Sequence, residues 1–578
     1  MMVYSSNENP VFRSKFSEDI FKQKYAHEDC TTWADLSKTL VNDVCGDLET
    51  AEATHVGTRT VEKHLMSKDD RDQLIRYITD LKFIPGGRYL YYAGRPYKFF
   101  NNCYLLKAEE DSREDWANLS WKTESCLMTG GGIGVDYSVY RPSGSGLKKT
   151  GGIASGPIPK MQMINEIGRR VMQGGSRRSA IYASLSWDHR DAEIFLHSKN
   201  WQDMPVGSSG LNLAQVKEQD FNFPAPLDMT NISLNYDTAW INSYWQNSSV
   251  GDIFRENVKQ ALSTAEPGFS FNFFDKERET LRNACTEVTS EDDSDVCNLG
   301  SINLGRIETL PEFNDVCELA TKFLICGTLK AKLPYEKIDK VREKNRRLGL
   351  GLMGVHEWLI KRGYKYEVTP ELHQWLATYR GVSDSTSRDF STALSISRPV
   401  ACRAIAPTGS IGILAGTSTG IEPIFAVSYR RRYLKGQSRW HYQYVVDSAA
   451  QEIIDLYGTN PEKIESAIDL AENYEQRIAF QADVQDYVDM AISSTINLPA
   501  WGSKLNNEDT IDNFATTLAS YAHRLRGFTV YPNGCRGGQP LTTVPYAEAV
   551  EKLGEEFEEG VEVHDICNIV QRGGSCGV

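Results

Sequence analysis

Apolar residues recur at helical spacing through the first part of the chain: Phe16, Ile20, Phe21 and Tyr25, then Trp33, Leu36, Leu40, Val41 and Val44. Steps of three and four put such side chains on one stripe, so residues 12 to 80 are predicted to be helical. From Phe83 onward the pattern changes. Short β-rich runs, Cys103-Tyr104-Leu105-Leu106, Ile181-Tyr182-Ala183-Ser184-Leu185 and Gly527-Phe528-Thr529-Val530-Tyr531, alternate with helical stretches and glycine-rich turns, which predicts α/β structure. The last residues, Gly573-Gly574-Ser575-Cys576-Gly577-Val578, offer glycines and almost nothing apolar to dock. They are expected to be a flexible arm. The expected organisation is a helical region over 1–95, an α/β catalytic domain over 96–559 and a tail over 560–578.

Composition narrows the function. Of 578 residues 40% are hydrophobic and 24% charged, and the net charge of -14 disfavours wrapping of nucleic acid. Small nucleotides fit better than DNA as partners. No stretch reaches the roughly 18 apolar residues of a membrane span, and the amino terminus has neither a basic nor an apolar run, so a cytoplasmic protein is expected. Twelve scattered cysteines suit a reducing compartment, and no Cys-x2-Cys pair is present to suggest a zinc ribbon. No metal ligands are expected.

The chemistry centres on Asn283-Ala284-Cys285-Thr286-Glu287. In extended backbone, side chains alternate, which would put Asn283, Cys285 and Glu287 on one face before one substrate. Such a pentapeptide also arises by chance. Three further segments accompany it in order: Asn101-Asn102-Cys103-Tyr104-Leu105, Asp295-Val296-Cys297-Asn298-Leu299-Gly300-Ser301, and Ala406-Pro407-Thr408-Gly409-Ser410-Ile411.

With these four segments the chain resembles the large subunit of ribonucleotide reductases, in particular the adenosylcobalamin-dependent branch, from about residue 12 to the end. The resemblance implies a ten-stranded α/β barrel with a central finger loop. It also implies reduction of ribonucleotides to deoxyribonucleotides, with Cys285 as the thiyl radical that takes the 3'-hydrogen, Glu287 as the base for the 3'-hydroxyl and Asn283 holding the sugar hydroxyls. Cys103 and Cys297 match the family's dithiol, and their separation of 194 positions is no obstacle, since disulfide geometry is spatial. By the same resemblance Cys567 and Cys576 would relay electrons from a thioredoxin- or glutaredoxin-like protein. Their spacing of nine is wider than the family's usual one.

Asn102 belongs to the substrate site on the same grounds. Thr408, Gly409, Ser410 and Ile411 match the segment that holds substrate phosphates, and they carry the hydroxyls and amides a phosphate cradle needs. Diphosphates are favoured over triphosphates, because the segments around Pro407 and Gly151 look more like those of the dimeric forms. Gly151, Gly152, Arg177, Arg178 and Ser179 match the two loops that read a deoxynucleotide effector, and arginine forks suit phosphate. A homodimer is compatible with this.

The source of the radical divides the family's branches. One branch imports it through two adjacent tyrosines, whereas this chain reads Tyr531-Pro532 at that place, and proline cannot relay an electron. Tyr91-Tyr92 lies elsewhere. Adenosylcobalamin is therefore the expected cofactor; the alternative is a catalytic subunit with no cofactor of its own, served by a separate ferritin-like metal subunit. The glycines at 130, 131, 132 and 134 do not form a dinucleotide fingerprint and are expected to permit close packing. Cys317 and Cys326 fall on opposite faces of a predicted helix, and Cys30, Cys45, Cys126, Cys402 and Cys535 read as ordinary core or surface thiols.

Overall fold

The computed structural model describes residues 11–46, 65–171, 179–220, 223–246, 248–435, 439–535 and 541–558. The predicted helical stripe is present. Helices Lys15–Lys24, Trp33–Cys45 and Lys68–Thr79 start at Ser14, Thr32 and Ser67, whose side chains each accept the amide three residues on. Trp33, Leu36, Leu40, Val41 and Val44 are fully buried and share one apolar core with the helix Leu310–Lys330. The amino-terminal region is not wholly helical, since it also contributes a strand, Phe83–Pro85, to the main sheet.

The strands, in chain order, begin with β1 (Phe83–Pro85), β2 (Cys103–Lys107), β3 (Gly132–Asp136), β4 (Ile181–Ser186), β5 (Thr230–Tyr236) and β6 (Gly268–Phe271). Then come β7 (Leu281–Arg282), β8 (Thr289–Ser290), β9 (Asp295–Asn303), β10 (Leu348–Met353), β11 (Ser428–Lys435), β12 (Arg439–Val446), β13 (Thr495–Leu498) and β14 (Gly527–Pro532). β11 and β12 are the central strands of a separate four-stranded antiparallel sheet, flanked by β15 (Leu541–Thr543) and β16 (Glu556–Glu558). The main sheet holds ten strands.

Within it β2 to β6 run parallel as one half-barrel. β9 with β10, and β13 with β14, are the parallel pairs of the other half. The halves meet at two antiparallel seams, β2 against β9 and β6 against β14. Residues 401–406 close the ring: Leu350 donates its amide to Cys402, while Ile405 and the segment 491–493 exchange backbone bonds of 2.8 and 3.2 Å. β1 lies outside this ring, paired with residues 300–302 of β9 beyond the stretch that meets β2.

The two faces of the staves differ sharply. Tyr104, Leu106, Ile133, Val135, Ile181, Ala183, Leu185, Ile232, Leu234, Phe269 and Phe271 point outward into one apolar core with the surrounding helices. Alternation then turns Gly132, Gly134, Ser184, Ser186, Ser233, Asn235, Gly268 and Ser270 inward. The smaller, all-parallel eight-stranded α/β barrels fill their interior with branched apolar side chains. Small and polar residues leave room here for a hairpin, β7 paired antiparallel with β8, whose loop runs through the centre. Among the described residues, no helix is long and apolar enough to cross a membrane.

Candidate active site

The hairpin reaches the lumen because β3 has no side chains in its way. A Cβ on Gly134 would stand 1.7 Å from the carbonyl oxygen of Arg282, and one on Gly132 would stand 3.1 Å from the Cβ of Ala284. The expectation that these glycines permit close packing is met. Gly130 and Gly131 act similarly, against Arg88 and the ring of Tyr104.

The extended reading of residues 283 to 287 does not hold. The amide of Thr286 closes a turn on the carbonyl of Asn283 at 3.0 Å, and Thr286 has a left-handed φ of 71°. A hairpin with only six residues between its strands must reverse there, so the three polar side chains converge by folding back rather than by strand alternation. Asn283 is buried; its Nδ2 donates to Cys103 Sγ at 3.0 Å and its Oδ1 accepts from Val288 N at 2.9 Å. Glu287 is buried too, with Oε1 4.0 Å from Cys103 Sγ. Cys285, at the tip, is partly exposed.

Cys103 and Cys297 are direct partners in the antiparallel register of β2 and β9, and both are buried. Burial pushes the Cys103 thiol well above its usual range, with the Glu287 carboxylate adding to the effect. Cys297 is raised by burial and then by Asp295, against the opposing pull of Arg347. Glu287 is itself raised to about 7 by burial, partly offset by hydrogen bonds to its own backbone and Asn283. Such a carboxyl sits where it can exchange protons near neutral pH.

Asp295, two residues before Cys297, joins three elements. It accepts from Ser290 Oγ at 2.6 Å, Asn345 Nδ2 at 2.9 Å and Arg347 Nε at 2.7 Å, which fixes the base of the hairpin to β9. The buried side-chain Oδ1 of Asn102 accepts no hydrogen bond from the described residues, while its backbone carbonyl accepts from Gly132 N at 2.8 Å. Asn231, exposed on β5, donates to the carbonyl of Ala284 at 3.1 Å and steadies the tip.

Thr408 to Ile411 open the short helix Gly409–Ala415, whose first amides lack acceptors within the helix. Thr408, left-handed at φ 49°, accepts from Gly420 N at 2.8 Å. Lys24, from the amino-terminal helix, donates to Ser410 Oγ at 3.0 Å. Gly151 and Gly152, with φ of 71° and 83°, sit exposed on a loop closed by the bond from Leu147 N to Gly152 O at 3.0 Å. Ser179 is buried and donates to the carbonyl of Val171 at 2.9 Å, so its hydroxyl is engaged in the protein. Arg177, Arg178, Cys567 and Cys576 lie outside the described residues.

Tyr531 on β14 shares a hydrogen bond with Cys535, whose thiol burial pushes up to about 12. Tyr91 and Tyr92 stand edge to face at 5.0 Å, with Tyr92 donating to the carbonyl of Thr129. Cys317 and Cys326 are both buried on the helix Leu310–Lys330, and the Cys326 thiol hydrogen-bonds Cys45. Asp384, Cys402 and Asp489 bring ligand atoms within 4.8 Å of one another, but the buried Arg403 guanidinium donates to both carboxylates and serves as their cation.

Arg282, Asn231 and Lys24 escaped the motif reading, and Asp295, though it opens a quoted segment, received no role there. A signal for Arg282, Asp295 and Asn231 was present: the period-two series Gly132-x-Gly134-x-Asp136, Ser184-x-Ser186, Ser233-x-Asn235 and Ser270-x-Asn272 marks a polar lumen that something must occupy.

Fold and site together define an α/β barrel that carries one thiol on an internal hairpin beside a facing pair of thiols. The chain belongs to the ribonucleotide reductase family, whose barrel-domain model matches residues 101–374 and 398–531. It is 26% identical over 532 residues to the vitamin B12-dependent ribonucleoside-diphosphate reductase of Mycobacterium tuberculosis (strain CDC 1551 / Oshkosh), covering 84% of this chain and 75% of that protein. The enzyme of the same name from Thermoplasma acidophilum is 28% identical over 538 residues, covering 84% and 67%. Among solved structures, the Actinobacillus ureae class Id ribonucleotide reductase alpha subunit superimposes with a TM-score of 0.65 at 15% identity, covering 90% of this chain and 97% of that one. That likeness concerns the fold.

Proposed function

We propose that this chain reduces ribonucleotides, by preference diphosphates, to deoxyribonucleotides through a thiyl radical on Cys285. The observation that carries the reading is the meeting of Cys103 and Cys297 in register beside a hairpin bearing Asn283, Cys285 and Glu287. Hydroxide leaves poorly from a saturated carbon, and a radical at the neighbouring carbon removes much of that difficulty. Cys285 takes the 3'-hydrogen and later returns it. Glu287 accepts the 3'-hydroxyl proton, and Asn283 orients the sugar while holding Cys103. One thiol of the pair protonates the departing 2'-oxygen; the pair then closes to a disulfide. The balance is ribonucleotide plus dithiol giving deoxyribonucleotide, disulfide and water.

Adenosylcobalamin is the proposed cofactor, and its chemistry when bound is homolytic supply of the radical that Cys285 receives. The residues present fit it. Cys285 is partly exposed where Glu287, Cys103 and Cys297 are buried, and the barrel mouth on its side carries the exposed Asn231, which bonds the carbonyl of Ala284, and the exposed Thr495, which bonds Thr529. Asn231, Thr495 and Thr529 are the residues of that mouth that would face the cofactor. Pro532 after Tyr531, and the names of the relatives above, support this over a radical imported from a metal-containing subunit.

Further parts of the reading are substrate binding at Asn102, the phosphate site at Thr408–Ile411, an effector deoxynucleotide at Gly151, Gly152, Arg177, Arg178 and Ser179, and re-reduction through Cys567 and Cys576 by a thioredoxin- or glutaredoxin-like protein. The test is direct. Purified chain with adenosylcobalamin, a dithiol, a ribonucleoside diphosphate and an effector should form deoxyribonucleotide, with cobalt–carbon cleavage that Cys285→Ser abolishes. Activity that appears only on adding a ferritin-like metal subunit would overturn the cofactor assignment.

A further inference from the structure

Arg282 closes β7, three residues before the radical thiol, and is 1% exposed. Its guanidinium donates to five oxygens. Two belong to the hairpin itself, the carbonyls of Glu279 at 2.5 Å and Leu281 at 3.1 Å. Two belong to the end of β6, the carbonyl of Phe271 at 3.4 Å and Asn272 Oδ1 at 2.7 Å. The fifth is the carbonyl of Arg526 at 3.0 Å, one residue before β14. One planar group therefore ties the hairpin to both staves of the β6–β14 seam.

Among the described residues, no carboxylate lies within ion-pair distance of this cation. Burial, then the nearby Arg526, hold its pKa down to about 9, against the opposing pull of Tyr182, Glu279 and Asp136. A buried charge without an ionic partner is costly, so the hydrogen bonds to these five oxygens must offset its desolvation, and removing the guanidinium would leave all five without a donor. What the guanidinium adds is direction, since its rigid fork fixes several acceptors at once.

The opposite side of Arg282 is equally constrained. Its carbonyl oxygen is pressed on Gly134, Asn283 bonds Cys103, and Ala284 bonds Asn231. Three residues span at most about 10 Å, so a shift at the root passes to the tip.

We propose that Arg282 is a positioning residue that sets where Cys285 stands relative to the substrate's 3'-hydrogen and the Cys103–Cys297 pair. The proposal rests on the reading of Cys285 as the hydrogen-abstracting thiol. Reacting atoms must approach within about 3–3.5 Å, and a displacement near 1 Å can cost about 10²-fold in rate.

The test uses the full chain with its cofactor, as Arg282→Met and Arg282→Lys, the latter keeping the charge and losing the fork. Hydrogen exchange of the Thr286 and Val288 amides should quicken at least about 10-fold in R282M while the outer strands exchange as before. Its kcat should fall about 10- to 100-fold with KM little changed, and the isotope effect with 3'-deuterated substrate should rise, because hydrogen abstraction has become slower. R282K should recover part of both, and decides the matter if R282M does not fold. Unchanged exchange at the tip would overturn the proposal. So would faster exchange with a wild-type isotope effect and activity that merely follows the folded fraction. A wild-type chain inert towards every ribonucleotide would instead sink the assigned reaction, and tip exchange would still decide the anchoring.

Discussion

Cys103 and Cys297 oppose each other directly across the antiparallel seam of β2 and β9. Opposed residues in such a pair have Cα atoms about 4.5–5.5 Å apart, inside the roughly 4.4–6.8 Å that a disulfide spans. The pair can therefore oxidise without moving the backbone. Because the seam joins the two half-barrels, the disulfide would form within the rigid wall and not on a loop.

Thiol reactivity should follow exposure and acidity. The thiolate is the nucleophile, and burial suppresses it at Cys103 and Cys297. Iodoacetamide at pH 8 should label Cys285 before Cys103, Cys297 or the partly exposed but weakly acidic Cys535. Peptide mass spectrometry reads the order. Labelling of Cys103 ahead of Cys285 would contradict the geometry.

Glu287 makes activity and stability move in opposite directions with pH. Its pKa of about 7 in the native state lies above its ordinary 4.5, so between those values the native chain holds a proton that the unfolded chain has lost. The stabilisation this represents is complete below 4.5 and disappears as pH rises through 7, an amount of roughly 3 kcal/mol. Activity should rise over the same range as the base is freed. Glu287→Gln should lose about 10²–10⁴-fold in kcat and yet unfold at a higher temperature than wild type at pH 8, with the difference gone at pH 4. Equal melting temperatures at both pH values would refute the buried-carboxyl account.

Gly134→Ala should expel the hairpin. The added methyl group would collide with a backbone carbonyl, which cannot rotate away, so a destabilisation of about 1–3 kcal/mol and loss of reduction are expected. Gly381→Ala, in the helix Pro370–Ala393 with nothing within 4 Å, should be neutral or slightly stabilising. Thermal unfolding of the two variants makes the comparison.

The burial of the dithiol bears on its re-reduction. A small dithiol can diffuse to Cys103 and Cys297, whereas a thioredoxin-sized protein cannot. Cys576→Ser should therefore turn over with dithiothreitol and fail with thioredoxin. Equal loss with both reductants would mean that the tail has another role.

Part of the candidate site was legible before any fold was known. Asn283, Glu287, Cys103 and Cys297, which the structure brings together, stand in short segments of the sequence, and the helical stripe from Phe16 to Val44 follows from spacing alone. Helix periodicity and motif order survive in sequence because they involve near neighbours.

Only the tertiary structure decided the rest. The register that pairs Cys103 with Cys297 depends on strands 194 positions apart, and nothing local encodes it. Alternation along β3 to β6 told that the two faces differ, but an inward serine and a solvent-facing serine look alike until the ring closes through residues 401–406. The turn at Thr286, the bond from Asn283 to Cys103 and the five oxygens around Arg282 arise only when the hairpin enters the lumen. The pKa of Glu287 has the same origin: a carboxylate in a flexible pentapeptide is an ordinary acid, and exclusion of water inside the barrel is what raises it to about 7.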